Sequence, residues 1–112
     1  WITDVSTHVH PDQIPAEFAL FCNKFAYYWN HQKTDPRKFA AWIEHELNGR
    51  IHALSDGCTR FTICMAALVL GLRDLPYPNF KDRSDLTDHI GNSFAEWQEH
   101  FTKGIENARA NL

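Results

Sequence analysis

The sequence predicts one all-α domain, residues 1–112, in which helices surround a central buried helix. Three observations predict this class. Apolar residues recur at helical spacing in separate stretches of the chain. Residues 61–70 are apolar on every side of a helix, which is typical of a helix covered by others. A chain of 112 residues with 44% hydrophobic residues can build one core but not two.

The first part of the chain predicts an extended lead and two helices. Alternation of Val5, Thr7 and Val9 predicts an extended segment that ends at Pro11. A first helix is predicted from Pro15, because proline suits the first helical turn, and its apolar positions are Phe18, Cys22, Phe25 and Trp29. A second helix is predicted to begin at the cap Asp35-Pro36 and to end before Gly49, with the apolar stripe Phe39, Ala40, Ile43 and Leu47.

The second part of the chain predicts three further helices. The central helix over residues 61–70 is predicted to end at Gly71 and the break Pro76-Tyr77-Pro78. Ser84 with Asp85 is predicted to cap a short helix that runs through Leu86 and Ile90. The last helix is predicted from the helical spacing of Phe94, Trp97, Phe101 and Ile105. The prediction is therefore five helices with almost no strand.

Composition excludes several classes of partner. With 11 basic and 14 acidic side chains the net charge is −3, which argues against a nucleic-acid ligand. No stretch has the roughly 18 to 20 apolar residues that span a bilayer, and we expect no membrane contact. Three cysteines, an odd number, favour free thiols and a cytoplasmic location, although export as an effector stays open.

The turn before the central helix concentrates groups that handle phosphate. The first turn of a helix offers unpaired amides, so Gly57 to Arg60 predict an anion-binding nest, and the Arg60 guanidinium can grip phosphate oxygens. Asp56 offers a hard carboxylate for a magnesium ion. His52 is the side chain whose ordinary pKa lies near neutrality, and it can accept a proton from an attacking hydroxyl. These groups indicate phosphoryl or nucleotidyl transfer.

The same turn resembles the signature of the Fic (Fido) domain family, H-x-F-x-[DE]-G-N-G-R. Here it reads His52-Ala53-Leu54-Ser55-Asp56-Gly57-Cys58-Thr59-Arg60. The helix before it, Phe39-Ala40-Ala41-Trp42-Ile43-Glu44-His45, and the exit after it, Leu75-Pro76-Tyr77-Pro78, are also similar to the family. The resemblance covers roughly residues 10 to 106, and the opening Trp1-Ile2 would then be the last residues of the family's target-docking hairpin.

The resemblance implies a Fic-like helical bundle and a protein adenylyltransferase activity. It implies that His52 is the catalytic base, that Asp56 holds Mg²⁺, and that Gly57, Cys58, Thr59 and Arg60 bind the phosphates of ATP. AMP would pass from ATP, the co-substrate, to a Ser, Thr or Tyr hydroxyl of a target protein. The partners implied are therefore a nucleotide, a target protein and a regulatory protein.

Departures from the signature keep two alternatives open. Leu54 stands for the family's Phe, Cys58 for its Asn and Thr59 for a Gly, and Ile63 occupies the position of a second Arg found in AMP-transferring members. The alternatives are a non-catalytic Fic-like interaction module and a transferase of another phosphate-containing group. Thr102-Lys103-Gly104-Ile105-Glu106-Asn107 resembles the family's autoinhibitory motif, but its Glu would lack the second Arg, and we interpret the match as coincidence. His45 is interpreted as structural.

Overall fold

A computed structural model describes residues 9–31, 35–51, 58–80 and 93–110 of the chain. These residues form four α-helices: α1 (Ile14–Asn30), α2 (Pro36–Glu44), α3 (Cys58–Gly71) and α4 (Phe94–Ala110). A 3₁₀ turn, Pro11–Gln13, precedes α1, and α2 continues directly as a π-helix, His45–Ile51. The described residues contain no strand, so the predicted all-α class is confirmed. Val5, Thr7 and the predicted helix around Ser84 lie outside the described residues.

Local sequence signals explain where the helices begin. The Asp35 carboxylate accepts the Arg37 amide hydrogen at 3.0 Å, and Pro36 occupies the first turn of α2, as predicted. At the start of α4, the Ser93 hydroxyl accepts the amide hydrogen of Glu96 at 3.3 Å. Both caps satisfy a backbone donor that the helix itself leaves unpaired.

A left-handed residue, not a glycine, terminates α3. Asp74 has φ 60°, and its amide donates to the Gly71 carbonyl at 3.1 Å. The next amide, that of Leu75, donates to the Leu70 carbonyl at 2.9 Å. This pair of bonds is a Schellman motif, in which the chain reverses after the helix and Leu75 packs back onto the core. Gly71 is the last residue of α3, so the predicted end of this helix is confirmed, while the reversal of the chain after it is made at Asp74.

The most buried helix is α2, not α3. Ala40, Ala41, Ile43 and Glu44 are all 0% exposed. Both α3 and α4 pack against α2, and the small side chains of Ala40 and Ala41 are compatible with close helix packing. Because α1 also contacts α2 through its aromatic side chains, α2 lies at the centre of the described helices.

The prediction that residues 61–70 form the buried centre is wrong for one face of α3. Thr62, Ala66, Val69 and Leu70 are buried, but Phe61 is 43% exposed and Leu68 57% exposed, and Cys64 between them is exposed as well. An apolar run in the sequence means that every face of the helix is apolar. It does not mean that other elements of the fold cover every face.

Aromatic rings join α1 to α2. Phe21 stacks on Trp42 with ring centroids 4.8 Å apart, and Tyr28 meets Trp42 edge-on at 5.2 Å. Phe25 packs on Phe39 at 5.2 Å. Offset and edge-on ring pairs of this kind stabilise a helix contact beyond the area they bury.

Trp97 joins α4 to α2 at the point where α2 changes into the π-helix. Its ring is fully buried, and its indole N–H donates to the Ala41 carbonyl at 2.9 Å. The His45 amide also reaches this carbonyl. A change in helical repeat disturbs the regular backbone bonds, and the indole supplies an additional donor at that place.

The second helical segment continues past Gly49, where the sequence predicted an end. Leu47 and Ile51 on either side of Gly49 are both buried, and the half-buried Arg50 binds the carboxylates of Glu46 and Glu17. Burial and ion pairing on the far side of the glycine outweigh its weak helix propensity. Leu47, Arg50 and Ile51 make these contacts from the π-helix, whose repeat is wider than that of an α-helix.

Candidate functional site

The predicted motif occupies the connection between the π-helix and α3. The π-helix ends at Ile51, which is fully buried, and α3 begins at Cys58. His52, Asp56 and Gly57 belong to residues 52–57, which lie outside the described residues. The described structure therefore gives the two anchor points of the motif and the part of it that enters α3.

The half of the motif that is predicted to bind phosphate coincides with the first turn of α3. Cys58 and Thr59 are its first two residues, although their side chains lie outside what the structure describes, and Arg60 is exposed in the same turn. Amides in this turn have no carbonyl four residues earlier within the helix, so they can bind an anion. Thr62 is fully buried, whereas Phe61 and Cys64 are exposed, so this end of α3 has one face on the core and another toward solvent.

The entry to the motif is fixed by a three-residue ion-pair network. Arg50 donates from Nη2 to Glu17 on α1 at 3.0 Å and from Nε to Glu46 one turn earlier. Burial disfavours the charged form of Arg50, but the two carboxylates outweigh this and raise the pKa of its guanidinium. The Arg50 carbonyl also accepts the Val9 amide hydrogen at 2.9 Å. Backbone and side chain thus both hold the residue two positions before His52.

The last residue of α2, Glu44, carries a buried carboxyl and lies six residues before Arg50. Glu44 is 0% exposed, and the Tyr77 hydroxyl lies 2.9 Å from its Oε1 and 3.0 Å from its Oε2. Burial raises the pKa of Glu44 to about 8, while the Tyr77 hydrogen bond lowers it. Burial also raises the pKa of Tyr77, and the Glu44 charge adds to that effect. The following residue, His45, packs on the Phe94 ring at 5.6 Å, in agreement with a structural role.

The segment similar to an autoinhibitory motif lies on α4, and packing accounts for its glycine. A Cβ at Gly104 would come 2.7 Å from the Pro78 Cβ and 3.1 Å from the Phe80 ring, so only glycine allows residues 75–80 to approach α4 this closely. Glu106 is exposed and lines a surface groove of about 330 Å³ with Asn79 and neighbouring residues. The interpretation of the match as coincidence agrees with this structural role of Gly104.

A second cleft, of about 320 Å³, lies at the opposite end of α3. Its walls come from the end of α1, the start of α2 and the end of α3, and they consist of Tyr28, Trp29, His31, Pro36, Phe39, Val69, Leu72 and Arg73. Along the helix, Leu72 is about 18 Å from Arg60 at 1.5 Å per residue. The cleft and the motif are therefore separate places on the molecule.

Comparisons with known proteins give no assignment. No family model, no curated protein and no solved structure matches the chain. The resemblance to Fic proteins therefore rests on the residues quoted from the sequence.

Metal ligands, membrane-spanning helices and cysteines can each be assessed in the described part of the chain. Three or more His, Cys, Asp or Glu side chains do not gather there as a metal site. None of the helices described is long and apolar enough to cross a membrane. Cys22 and Cys64 are free and exposed, as the odd cysteine count predicted.

Sequence reasoning missed the Arg50 network and the Glu44–Tyr77 pair. The first had a local signal, because Glu46 and Arg50 are four residues apart and face the same side of a helix. The second had a weaker one: Glu44 follows Ala40 by four residues, so the buried stripe of α2 passes through it. Its partner Tyr77 is 33 residues away, and no local pattern predicts that contact.

Proposed function

We propose that this chain is a Fic-like protein nucleotidyltransferase that transfers AMP from ATP to a Ser, Thr or Tyr hydroxyl of a target protein. The observation that carries the proposal is the start of α3 at Cys58 with Arg60 exposed in its first turn. A phosphate site needs unpaired amides and a cation at the same helix end, and this arrangement supports the proposal on both counts.

The proposed reaction is an in-line displacement at the α-phosphorus of ATP. The target hydroxyl oxygen forms a bond to that phosphorus, the bond from it to the bridging oxygen of the β-phosphate breaks, and pyrophosphate leaves. His52 accepts the hydroxyl proton as the general base. Amides from Gly57 to Arg60, with Cys58 and Thr59 between them, hold the phosphates, and Arg60 stabilises the departing charge.

A magnesium ion fits the donor set proposed for it. The motif contributes one carboxylate, Asp56, and magnesium is ordinarily held by one or two carboxylates together with the phosphate oxygens of a nucleotide. When bound, magnesium would neutralise phosphate charge, while the proton is handled by His52.

The test is transfer of label from α-³²P-ATP to protein in the presence of magnesium. We expect incorporation by the wild-type chain, loss of incorporation in His52→Ala with nucleotide binding retained, and at least about a tenfold weaker nucleotide affinity in Arg60→Ala, because one guanidinium–phosphate pair contributes about 1.5–3 kcal/mol. Matched controls are His31→Ala and Arg109→Ala, since both residues are exposed and lie away from the first turn of α3, His31 directly after α1 and Arg109 on α4. UTP, GTP and CTP run in parallel detect a different donor.

The second candidate is a non-catalytic Fic-like interaction module. It is favoured by Cys58, Thr59 and Ile63, which depart from the family signature. Because residue 63 is a half-buried isoleucine, it supplies no cation to bind phosphate. Absence of transfer with all four nucleotides, together with no binding of any of them in titration calorimetry, would establish the module in place of the enzyme.

A further inference from the structure

A joint of three parts connects α2 to α4 through residues 75–80. The Tyr77 hydroxyl binds the Glu44 carboxyl on α2. Pro78 is buried against Gly104 of α4, and the Asn79 amide donates to the Gly104 carbonyl at 2.8 Å. On the α4 side the joint is made of backbone and packing contacts, whereas on the α2 side it includes a titratable pair.

The burial of the pair favours a protonated carboxyl. The Tyr77 oxygen lies 2.9 Å and 3.0 Å from the two oxygens of Glu44, so both are within hydrogen-bonding distance of the hydroxyl. A hydrogen bond donated to an ionised carboxylate is the stronger one, so this contact lowers the pKa of Glu44. Burial acts in the opposite direction and is the larger effect. The proton therefore stays on Glu44 because the carboxyl is buried, and in that form both members of the pair are neutral.

The surroundings make loss of that proton costly. Glu44 is 0% exposed, and an ionised carboxylate without full compensation is strongly disfavoured in such a place. Within the described residues, Tyr77 is the titratable side chain shown to hydrogen-bond Glu44. Burial raises the pKa of Glu44 to about 8, although the Tyr77 hydrogen bond lowers it, and this agrees with the complete burial of the carboxyl.

The other ionisable groups on elements around α2 are exposed or half-buried. They are Glu17, Cys22, Lys24, Tyr27 and Tyr28 on α1, His45, Glu46 and Arg50 on the π-helix, Arg60 and Cys64 on α3, Arg73 and Asp74 after it, and Glu96, Glu99, His100, Lys103, Glu106 and Arg109 on α4. Two of these are engaged with neighbours near the joint, because His100 stacks on Phe80 at 5.0 Å and His45 packs on Phe94.

We propose that Glu44 and Tyr77 form a proton-operated latch, closed when the Glu44 carboxyl holds its proton and loosened when the proton is lost to solvent. Loosening releases residues 75–80 from α2 and weakens their contact with α4, so the molecule responds to mildly alkaline pH through this joint. No covalent step is involved, and the latch does not depend on the proposed transferase activity.

Two measurements on the full chain test the latch. In ¹³C NMR with labelled glutamate, one side-chain carboxyl signal is expected to titrate with a midpoint near pH 8 and to be missing from Glu44→Gln. In hydrogen exchange, the protection factor of the Asn79 amide is expected to fall as pH rises from 5 to 8.5, by up to about several hundred-fold if the open state fully hydrates Glu44.

Variants of the pair separate the latch from ordinary packing. In Glu44→Gln the amide N–H donates to the Tyr77 oxygen and the amide oxygen accepts from the hydroxyl, which reproduces the protonated pair, so Asn79 protection should not depend on pH. Tyr77→Phe removes the hydrogen bond that lowers the Glu44 pKa, and the NMR midpoint should move upward. A wild-type protection factor that changes less than about tenfold over this range, or an equal change in Glu44→Gln, overturns the proposal.

Discussion

Replacing Gly104 by alanine should destabilise the protein even though alanine is the better helix former. In the interior of α4, alanine gains about 1 kcal/mol over glycine in helix propensity. Against this, its Cβ would lie 2.7 Å from the Pro78 Cβ, which belongs to a rigid ring, and 3.1 Å from Phe80. Overpacking a well-filled core costs about 1–3 kcal/mol, and separating residues 75–80 from α4 would also strain the bond from the Asn79 amide to Gly104. We expect a net loss of about 1–2 kcal/mol.

Gly71→Ala is the matched control for this prediction. A Cβ at Gly71 meets no atom within 4 Å, and the residue is exposed in the last turn of α3. There alanine should stabilise the protein by about 0.4–1 kcal/mol, chiefly by restricting the unfolded chain. Urea unfolding followed by circular dichroism should place the two midpoints on opposite sides of the wild-type value. A Gly104→Ala protein as stable as Gly71→Ala would refute the close contact between α4 and residues 75–80.

Four further predictions concern single contacts, each measured by chemical unfolding. Trp97→Phe should lose about 1–3 kcal/mol, because it removes a buried donor to the Ala41 carbonyl and leaves a small cavity, and a loss near zero would contradict the fully buried indole. Asp74→Gly should gain about 0.5–1 kcal/mol by relieving a left-handed non-glycine residue, so a loss would count against the Schellman turn. Arg50→Met should lower the free energy of unfolding by about 1 kcal/mol, because it leaves two carboxylates unpaired. Lys103→Met breaks a far more exposed pair with Glu99 and should lower it by about a few tenths of a kcal/mol. Equal losses in the two variants would contradict the network. The free energy of unfolding of the wild type should fall as pH rises from about 4.5 to about 8, because the pKa of Glu44 is raised in the folded state. The stability that Glu44 contributes is complete only below the pKa it has in the unfolded chain. Glu44→Gln should remove that fall, and an unchanged slope would contradict the raised pKa of Glu44.

Much of the helical framework could be predicted from local sequence. Asp35 with Pro36 gave the start of α2, and the spacing of Phe94 and Trp97 gave α4. A further local signal was overlooked, since Ser93 followed three residues later by Glu96 is a capping-box pattern and Ser93 does cap α4. Such features depend on residues within one or two turns of each other, so they can be predicted without knowledge of tertiary contacts.

Features set by distant contacts could not be predicted. The end of the second helical segment was placed before Gly49 because glycine is a common stop signal, but Arg50 reaches Glu17 on another helix and the helix continues. The centre of the bundle was assigned to α3 from its apolar composition, whereas α2 is the helix on which the others pack, and that depends on contacts between distant parts of the chain. For the candidate site, sequence predicted a helix start near Arg60, and the structure has α3 beginning at Cys58.

The central position of α2 has a consequence for how the chain unfolds. Trp42 joins it to α1, the Ala41 carbonyl binds Trp97 of α4, and α3 also packs against it, so each outer helix depends on contact with the same central helix. Peripheral elements that share one buried neighbour lose their support together, which favours a single cooperative transition over stepwise release. Amide exchange in α2 should accordingly require global opening, making this helix the slowest-exchanging segment of the described chain.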